Sequence, residues 1–270
     1  MPQTTHTAEI ANPAVASHAV ASEQEWLSAR KKLLQKEKEF TRQRDEISRL
    51  RRELPWVKVK NNYVFDGPNG KETLADLFGS KSQLIIYHFM LGPAWEEGCP
   101  SCSMLGDHLG GSLVHLANRD VSLAVVSRAH LPKIEAFKKR MGWNFKWVSS
   151  FENGFNRDYN VSFTEQEMAQ HKVLYNYLEQ DFPSDEAPGL SVFYKDDQGN
   201  IFHTYSTYGR GLDILLGVYN LLDMAPKGRD EDALEFPMAW VRHHDRYPQE
   251  TISSTTLNQG PTSCCGHEGK

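Results

Sequence analysis

No window of the sequence holds the unbroken apolar run that a membrane-crossing helix requires, so no membrane partner is expected. Neither sign of charge dominates. The 270 residues carry 30 Lys and Arg against 35 Asp and Glu, a net charge of −5, which excludes the basic footprint of a nucleic-acid binder and any general attraction to an anionic surface. The opening stretch, Met1 to Ser22, lacks a basic segment followed by an apolar one. It does not read as a secretory signal, and the expected compartment is the cytoplasm. No internal repeat is visible. Cysteine is scarce, with four in the chain, whereas a disulfide scaffold would scatter cysteines through a small secreted domain. Here they stand in two pairs, Cys99-Pro100-Ser101-Cys102 and Cys264-Cys265. Such clustering in a large chain favours redox or metal chemistry over structural stapling.

The composition, 39% hydrophobic and 24% charged, is slightly polar for a globular protein, and the surplus sits at the two ends. Residues 1–22, rich in Ala, Thr, Ser and His without an apolar period, read as a disordered tail. Residues 23–54 read as one long amphipathic helix, opened by a capping box between Ser22 and Glu25 and stopped before Pro55. Its basic residues are interleaved with Glu37, Glu39, Asp45, Glu46 and Glu53, the pattern of a solvated face. Residues 55–247 form the candidate domain, and 248–270, Gly/Ser/Thr-rich, a flexible tail.

Within the domain, Trp56–Lys60 and Tyr63–Phe65 alternate as strands, and Asp66–Gly70 is a turn between short strands. Leu74–Phe78 is one helical turn closed by Gly79. Leu84–Met90 is a near-continuous apolar run, the mark of a strand buried on both faces. The cysteine pair follows, then a helix from about Ser103 to Asn118. Val121–Val126 is a second buried strand, Pro132–Met141 an amphipathic helix, and Phe145–Val148 a third strand. An irregular insertion, Asn153 to Pro188, contains one expected helix at Glu165–Tyr177. Leu190–Tyr194 and Ile201–Tyr205 flank a polar turn as an antiparallel hairpin, and Leu212–Met224 reads as a closing helix. This order, a hairpin, then β–CxxC–α–β–α–β, an insertion and β–β–α, implies an α/β fold with a mixed sheet flanked by helices.

A CxxC pair between a buried strand and a helix has a direct rationale. The thiolate is the reactive form, and unpaired N–H groups at a helix start, with the helix dipole, stabilise negative charge. Cys99, at the exposed helix start, is the expected nucleophile, and Cys102, three residues on, the expected resolving thiol. Pro100 suits an early helical position. Glu96 and Glu97, just upstream, would oppose a lowered thiol pKa. Half of a zinc site is the competing reading, which Cys264, Cys265 and His267 would have to complete; no metal is expected, because adjacent cysteines are awkward ligands for one tetrahedral ion. His88 lies in the strand before the dithiol and reads as a core histidine. His203, Tyr205, Tyr208 and Arg210 form a polar-aromatic run divided between substrate contact and hairpin packing. His243-His244-Asp245 reads as a surface cluster, not a metal triplet. The tail pair Cys264-Cys265 is a possible accessory electron carrier, since a flexible segment samples a broad volume.

Ala187-Pro188-Gly189 before the strand Leu190–Tyr194 resembles the thioredoxin superfamily, in which a cis-proline faces the dithiol and the adjoining backbone pairs with substrate. That resemblance implies a thioredoxin-like fold, a cis bond at Pro188, and substrate contacts at Pro188 and at Trp95, the aromatic preceding the dithiol. A longer match runs through Tyr87–Met90, Pro93–Cys102, Arg140–Trp143, Tyr175–Tyr177, Gly189–Phe193 and His203–Gly211. It resembles a mostly bacterial thioredoxin-like family long catalogued as a domain of unknown function and labelled predicted dithiol–disulfide oxidoreductases. The implied activity is thiol–disulfide exchange on a protein or small-thiol disulfide, recharged by a cellular dithiol donor, with no cofactor. Two other functions compete: a peroxiredoxin-like thiol peroxidase, whose Pro-x-x-x-Thr-x-x-Cys signature is absent, and a metal-binding thioredoxin-like module. A redox-inert scaffold using the N-terminal helix is a further alternative.

Overall fold

The computed structural model describes residues 18–248. Helix α1 (Glu23–Glu53) opens with the expected capping box, in which Ser22 and Glu25 each satisfy the other's backbone N–H. Strands follow as β1 (Val57–Lys58), β2 (Val64–Gly67) and β3 (Gly70–Thr73), then helix α2 (Leu74–Leu77) and strand β4 (Gln83–His88). Next come α3 (Pro100–Leu109), a 3₁₀ turn at Gly110–Ser112, α4 (Leu113–Asn118), β5 (Val121–Ser127), α5 (Leu131–Arg140) and β6 (Lys146–Ser149). The insertion holds α6 (Phe155–Asp158), α7 (Glu165–Ala169), β7 (Val173–Tyr175) and β8 (Leu178–Gln180). The chain returns through β9 (Gly189–Lys195) and β10 (Ile201–Tyr208), a 3₁₀ segment at Gly209–Leu215, and α8 (Gly217–Leu222).

Eight strands form one sheet in the order β1-β10-β9-β4-β5-β6-β2-β3. The centre, β4-β5-β6, is parallel, and β9 and β10 run antiparallel beside β4. Helices connect the parallel strands, as right-handed crossovers require. The fold is therefore thioredoxin-like, a mixed sheet with helices on both faces. The strand alternation supplies two cores. Leu84 and Ile86 of β4, with Ala124 and Val126 of β5, face Phe65, Leu74, Leu77 and Phe155. Tyr87 and Phe89, with Val125, face the opposite layer, formed by Cys102, Met104 and Leu105 of α3, Ile134 and Phe137 of α5, and Tyr219 of α8. Each fully buried apolar side chain contributes roughly 1.5–3 kcal/mol. The second core is the floor on which the dithiol stands.

Four expectations are corrected. The strand at Trp56–Lys60 shrinks to Val57–Lys58 and pairs with β10, on the far edge from the β2–β3 hairpin. The helix expected over Glu165–Tyr177 stops at Ala169, because His171 takes φ +54°, and a hairpin follows whose turn residues Asn176 and Tyr177 have φ of +51° and +66°. A two-residue turn with both φ positive matches the twist of its flanking strands, and Tyr177 holds its place by donating from its hydroxyl to the Ser206 carbonyl at 2.8 Å. The closing helix is broken at Leu216, with ψ of 86°, into a 3₁₀ segment and a short α-helix. Its apolar period was sound, since Leu212, Leu216 and Tyr219 are all buried.

The fourth correction concerns Pro188. No cis peptide bond occurs among the described residues, so Ala187–Pro188 is trans. The insertion pins this backbone in extended form: Phe163 N–H donates to Asp185, and Ala187 N–H to Val161, each at 2.9 Å. The trans form of an X–Pro bond is the lower in energy, and nothing in that extended path demands the alternative. Tyr175 also donates its hydroxyl to the Pro188 carbonyl at 2.8 Å. Backbone groups that the thioredoxin resemblance assigns to substrate are thus engaged by the chain itself.

Candidate active site

The dithiol sits where β4 ends. Cys99 is the N-cap of α3, with Pro100 at the first helical position. Its own N–H donates to the Met90 carbonyl at 3.1 Å, tying the helix start to the strand end. Cys99 is partly exposed and Cys102 buried, and both are free thiols. The Cys102 thiol hydrogen-bonds to Cys99 Sγ, and against the opposing effect of burial this bond, with the N–H groups of Cys102 and Ser101, holds the Cys99 thiol down to about 7. These N–H groups have no partner within the helix, so an anion at the cap satisfies them. Cys102 moves the other way. Burial pushes its thiol well above the usual range, and the neighbouring Cys99 adds to this, while the Tyr87 hydroxyl and the Met90 N–H soften it. The two sulfurs of the pair thus stand in opposed electrostatic settings. Selective alkylation should show it: Cys99 labels with a pH midpoint of about 7, its rate falling as pH drops and the thiolate is lost, while Cys102 stays unlabelled near neutrality. Mass spectrometry of the alkylated peptides reads both.

The loop before Cys99 is braced from three sides. Lys133, in the first turn of α5, donates from Nζ to the carbonyls of Pro93 and Trp95 at 3.0 and 2.6 Å. Trp95 is half-buried against the same core as Cys99, and its indole N–H donates to Asp185 at 3.0 Å. It also forms one wall of an open cleft of about 890 Å³, shared with Arg128, Arg157, Ser184 and Asp185. From the segment that follows α8, His243 Nε2 reaches the Gly98 carbonyl at 2.8 Å, and Arg140 reaches His243 Nδ1 at 3.2 Å. A carbonyl only accepts and a guanidinium only donates, so this histidine is the neutral tautomer with its proton on Nε2. Arg140 further pairs with Asp245 and Glu97, and Arg246 with Glu97.

That ring resolves the charge upstream of the dithiol. Partial burial works to raise the Glu97 carboxyl, yet the bonds from Arg140 and Arg246 hold it below the ordinary range. Its negative charge is matched by two guanidiniums rather than left facing Cys99. The cluster His243-His244-Asp245 was visible in the sequence, but its first member is buried at 2% exposure, not on the surface. His244 turns away to Asp107 at 2.8 Å. Lys133 carried no sequence signal, because a single basic residue on an amphipathic helix looks like a solvated one; Arg140 stood within the longer family match, but nothing local pointed to its pairing with His243 and Glu97.

The remaining polar residues divide plainly. His88 is a core histidine: burial, with His203 nearby, lowers it to about 3, Nε2 lies 2.9 Å from Ser191 Oγ, and its ring stacks on Phe155 and Tyr159. His203 bonds to Ser206 and the Tyr205 carbonyl within the hairpin, and Tyr208 donates to the Tyr159 carbonyl, tying the end of β10 to the insertion. Arg210 pairs with Asp213 on the surface. Cys264 and Cys265 lie outside the described residues. Among the described residues no group of three or more His, Cys, Asp or Glu side chains is placed to hold a metal ion.

A buried carboxyl was missed altogether. Glu186, 1% exposed, accepts from Ser162 at 2.8 Å, and Arg128 Nε stands 3.3 Å from its second oxygen without hydrogen-bond alignment. Burial raises it to about 7, with Arg128 opposing. The native state then holds a proton that the unfolded chain releases near 4.5, so stability falls as pH rises from about 4.5 to about 7. The loss amounts to about 3 kcal/mol at 1.36 kcal/mol per pH unit. Glu186→Gln should flatten that slope, as unfolding free energies at pH 5 and pH 8 will show.

A family model described as "Bacterial protein of unknown function (DUF899)" matches residues 15–247. The chain belongs to this family. The match takes in α1, the whole sheet and the histidine that braces Gly98, so in this DUF899 member the dithiol and its supports lie inside the family's boundaries. The comparison with curated proteins gave no match. Among solved structures the chain is similar to a variant of Xylella fastidiosa PrxQ, at 12% identity and a TM-score of 0.40, over 62% of this chain and 94% of that one. It is similar also to Xanthomonas campestris peroxiredoxin Q (15%, TM-score 0.43, 62% and 98% covered). A third likeness is to peroxidoxin BcpB from Mycobacterium tuberculosis (12%, TM-score 0.41, 61% and 94% covered).

Proposed function

We propose that this DUF899 protein is a thiol–disulfide oxidoreductase with Cys99 as nucleophile and Cys102 as resolving thiol. The observation that carries the reading is the opposed setting of the two sulfurs, one lowered at a helix cap and the other raised beneath it. The Cys99 thiolate attacks one sulfur of a substrate disulfide, forming a mixed disulfide and expelling the other sulfur as a thiolate. Cys102 then gives up its proton to the departing sulfur and attacks Cys99 Sγ. The second substrate thiol leaves, and the Cys99–Cys102 disulfide remains. Two electrons pass from the dithiol to the substrate, and a cellular dithiol donor of the cytoplasm returns them. Trp95, on the wall between the dithiol loop and the open cleft, is the side chain against which a substrate rests.

A comparison of oxidants tests this reading against peroxidase chemistry. The reduced protein should be oxidised by a small disulfide such as oxidised glutathione to a Cys99–Cys102 disulfide, faster than by equimolar hydrogen peroxide. Rapid oxidation by peroxide through a sulfenic acid at Cys99, with sluggish disulfide exchange, would assign the protein to the thiol peroxidases instead.

A further inference from the structure

Helix α1 runs for 31 residues and buries none of them. Along it and at its C-cap, Trp26, Leu33, Phe40, Ile47 and then Leu54 recur at intervals of seven and stand 60%, 54%, 64%, 49% and 44% exposed. A seven-residue apolar repeat sustained over four intervals is the period of a left-handed supercoil between helices, not of a helix lying alone in water. Most helical stability in proteins comes from packing an apolar face, and among the described residues nothing buries this one. At the base of α1 lies a second feature. A groove of about 480 Å³ opens between the helix and the sheet, lined by Arg51, Arg52, Trp56, Tyr194 and Tyr205, with the Arg51 guanidinium 5.2 Å from the Tyr205 ring centre.

We infer that α1 is the dimerisation element of this protein, pairing antiparallel with α1 of a second copy, so that the first turns of each helix seat in the groove at the base of the other. Three observations choose this occupant. The first turn carries Glu23 and Glu25 and the last turn Arg51 and Arg52, so an antiparallel pair sets acid beside base at both ends, whereas a parallel pair sets like beside like. The ~46 Å helix ends directly in the globular domain, and a parallel pair would force two such domains onto the same end. With the pair centred near Phe40, Trp26 of the partner subunit arrives at the level of residues 50–57 (26 reflected through the centre), where the aromatic groove opens.

The area agrees with the need for both contacts. Two helix faces ~46 Å long and ~10 Å wide amount to roughly 900 Å², slightly below the ~1,000 Å² that marks specific association. Filling the two grooves takes the interface past that mark. This inference is independent of the dithiol chemistry.

Sedimentation velocity on the full chain at micromolar concentrations should give a particle of twice the 30.8 kDa monomer. Phe40→Asp should return it to monomer while leaving Cys99 alkylation unchanged, since α1 lies apart from the dithiol core. Arg52→Glu, which keeps the apolar seam but places acid against acid, should weaken the dimer at least tenfold. A spin label on a non-canonical residue at Gln24, on the solvent side of the seam, should report an inter-subunit separation of ~47 Å, against under ~20 Å for a parallel pair. A monomer throughout, a dimer indifferent to Phe40→Asp, or the short label distance would each overturn the inference.

Discussion

Cys99→Ser is expected to reduce thiol–disulfide exchange by about 10³-fold or more, to the uncatalysed background, because the one partly exposed cysteine thiol among the described residues is gone. Cys102→Ser is expected to behave in the opposite manner. The serine hydroxyl can still donate to Cys99 Sγ, so the nucleophile keeps much of its lowered pKa and continues to attack. Resolution fails, and the mixed disulfide with substrate accumulates to near stoichiometry. Non-reducing electrophoresis of the two variants after mixing with oxidised protein substrate, followed by mass spectrometry of the trapped species, reads both outcomes and identifies the partner. Equal trapping by both variants would reverse or abolish the assignment of roles.

His243→Ala is expected to be the most damaging change outside the dithiol. The ring lies edge-on to Phe137 at 5.3 Å, accepts from Arg140, and donates to the Gly98 carbonyl, one residue before Cys99. Its removal leaves a cavity and two polar groups without their partner. Truncation of a buried ring and loss of its bonds together predict destabilisation of about 2–4 kcal/mol. The loop carrying Cys99 loses one of its three braces, so Cys99 alkylation should lose its single sharp pH midpoint. Chemical denaturation and the alkylation profile measure the two effects. A variant of wild-type stability and reactivity would show that the segment around His243 is a passenger.

Legibility in the sequence followed the range of the forces involved. The strand–CxxC–helix unit could be read because its parts are local: an apolar run, a proline at a helix start and a cysteine spacing all act within twenty residues. The two-sided burial of β4 was equally plain, since Leu84, Ile86, Tyr87 and Phe89 leave no polar face. The insertion was misread where backbone conformation overrode side-chain period. Asn176 and Tyr177 turn with positive φ, and a tyrosine there gives no warning. At Pro188 the thioredoxin resemblance suggested a cis bond, and the strand-like pairing of Asp185 and Ala187 with the insertion, a contact across more than twenty residues, keeps it trans. The brace of His243, Arg140 and Glu97 spans about 145 residues. No spacing rule reaches that far, so Glu97 looked like a liability to the thiolate until its two arginines were seen.

The central claim is that Cys99 and Cys102 form a working dithiol–disulfide couple. An equilibrium titration of the protein in glutathione redox buffers, quenched with acid and alkylated, with mass spectrometry locating each disulfide, tests it most directly. The expected result is a single two-electron transition in which the Cys99–Cys102 disulfide appears and disappears reversibly, lost in the Cys99→Ser variant. A pair that stays reduced across the whole buffer range, or a glutathione adduct on Cys99 that Cys102 never resolves, would contradict it.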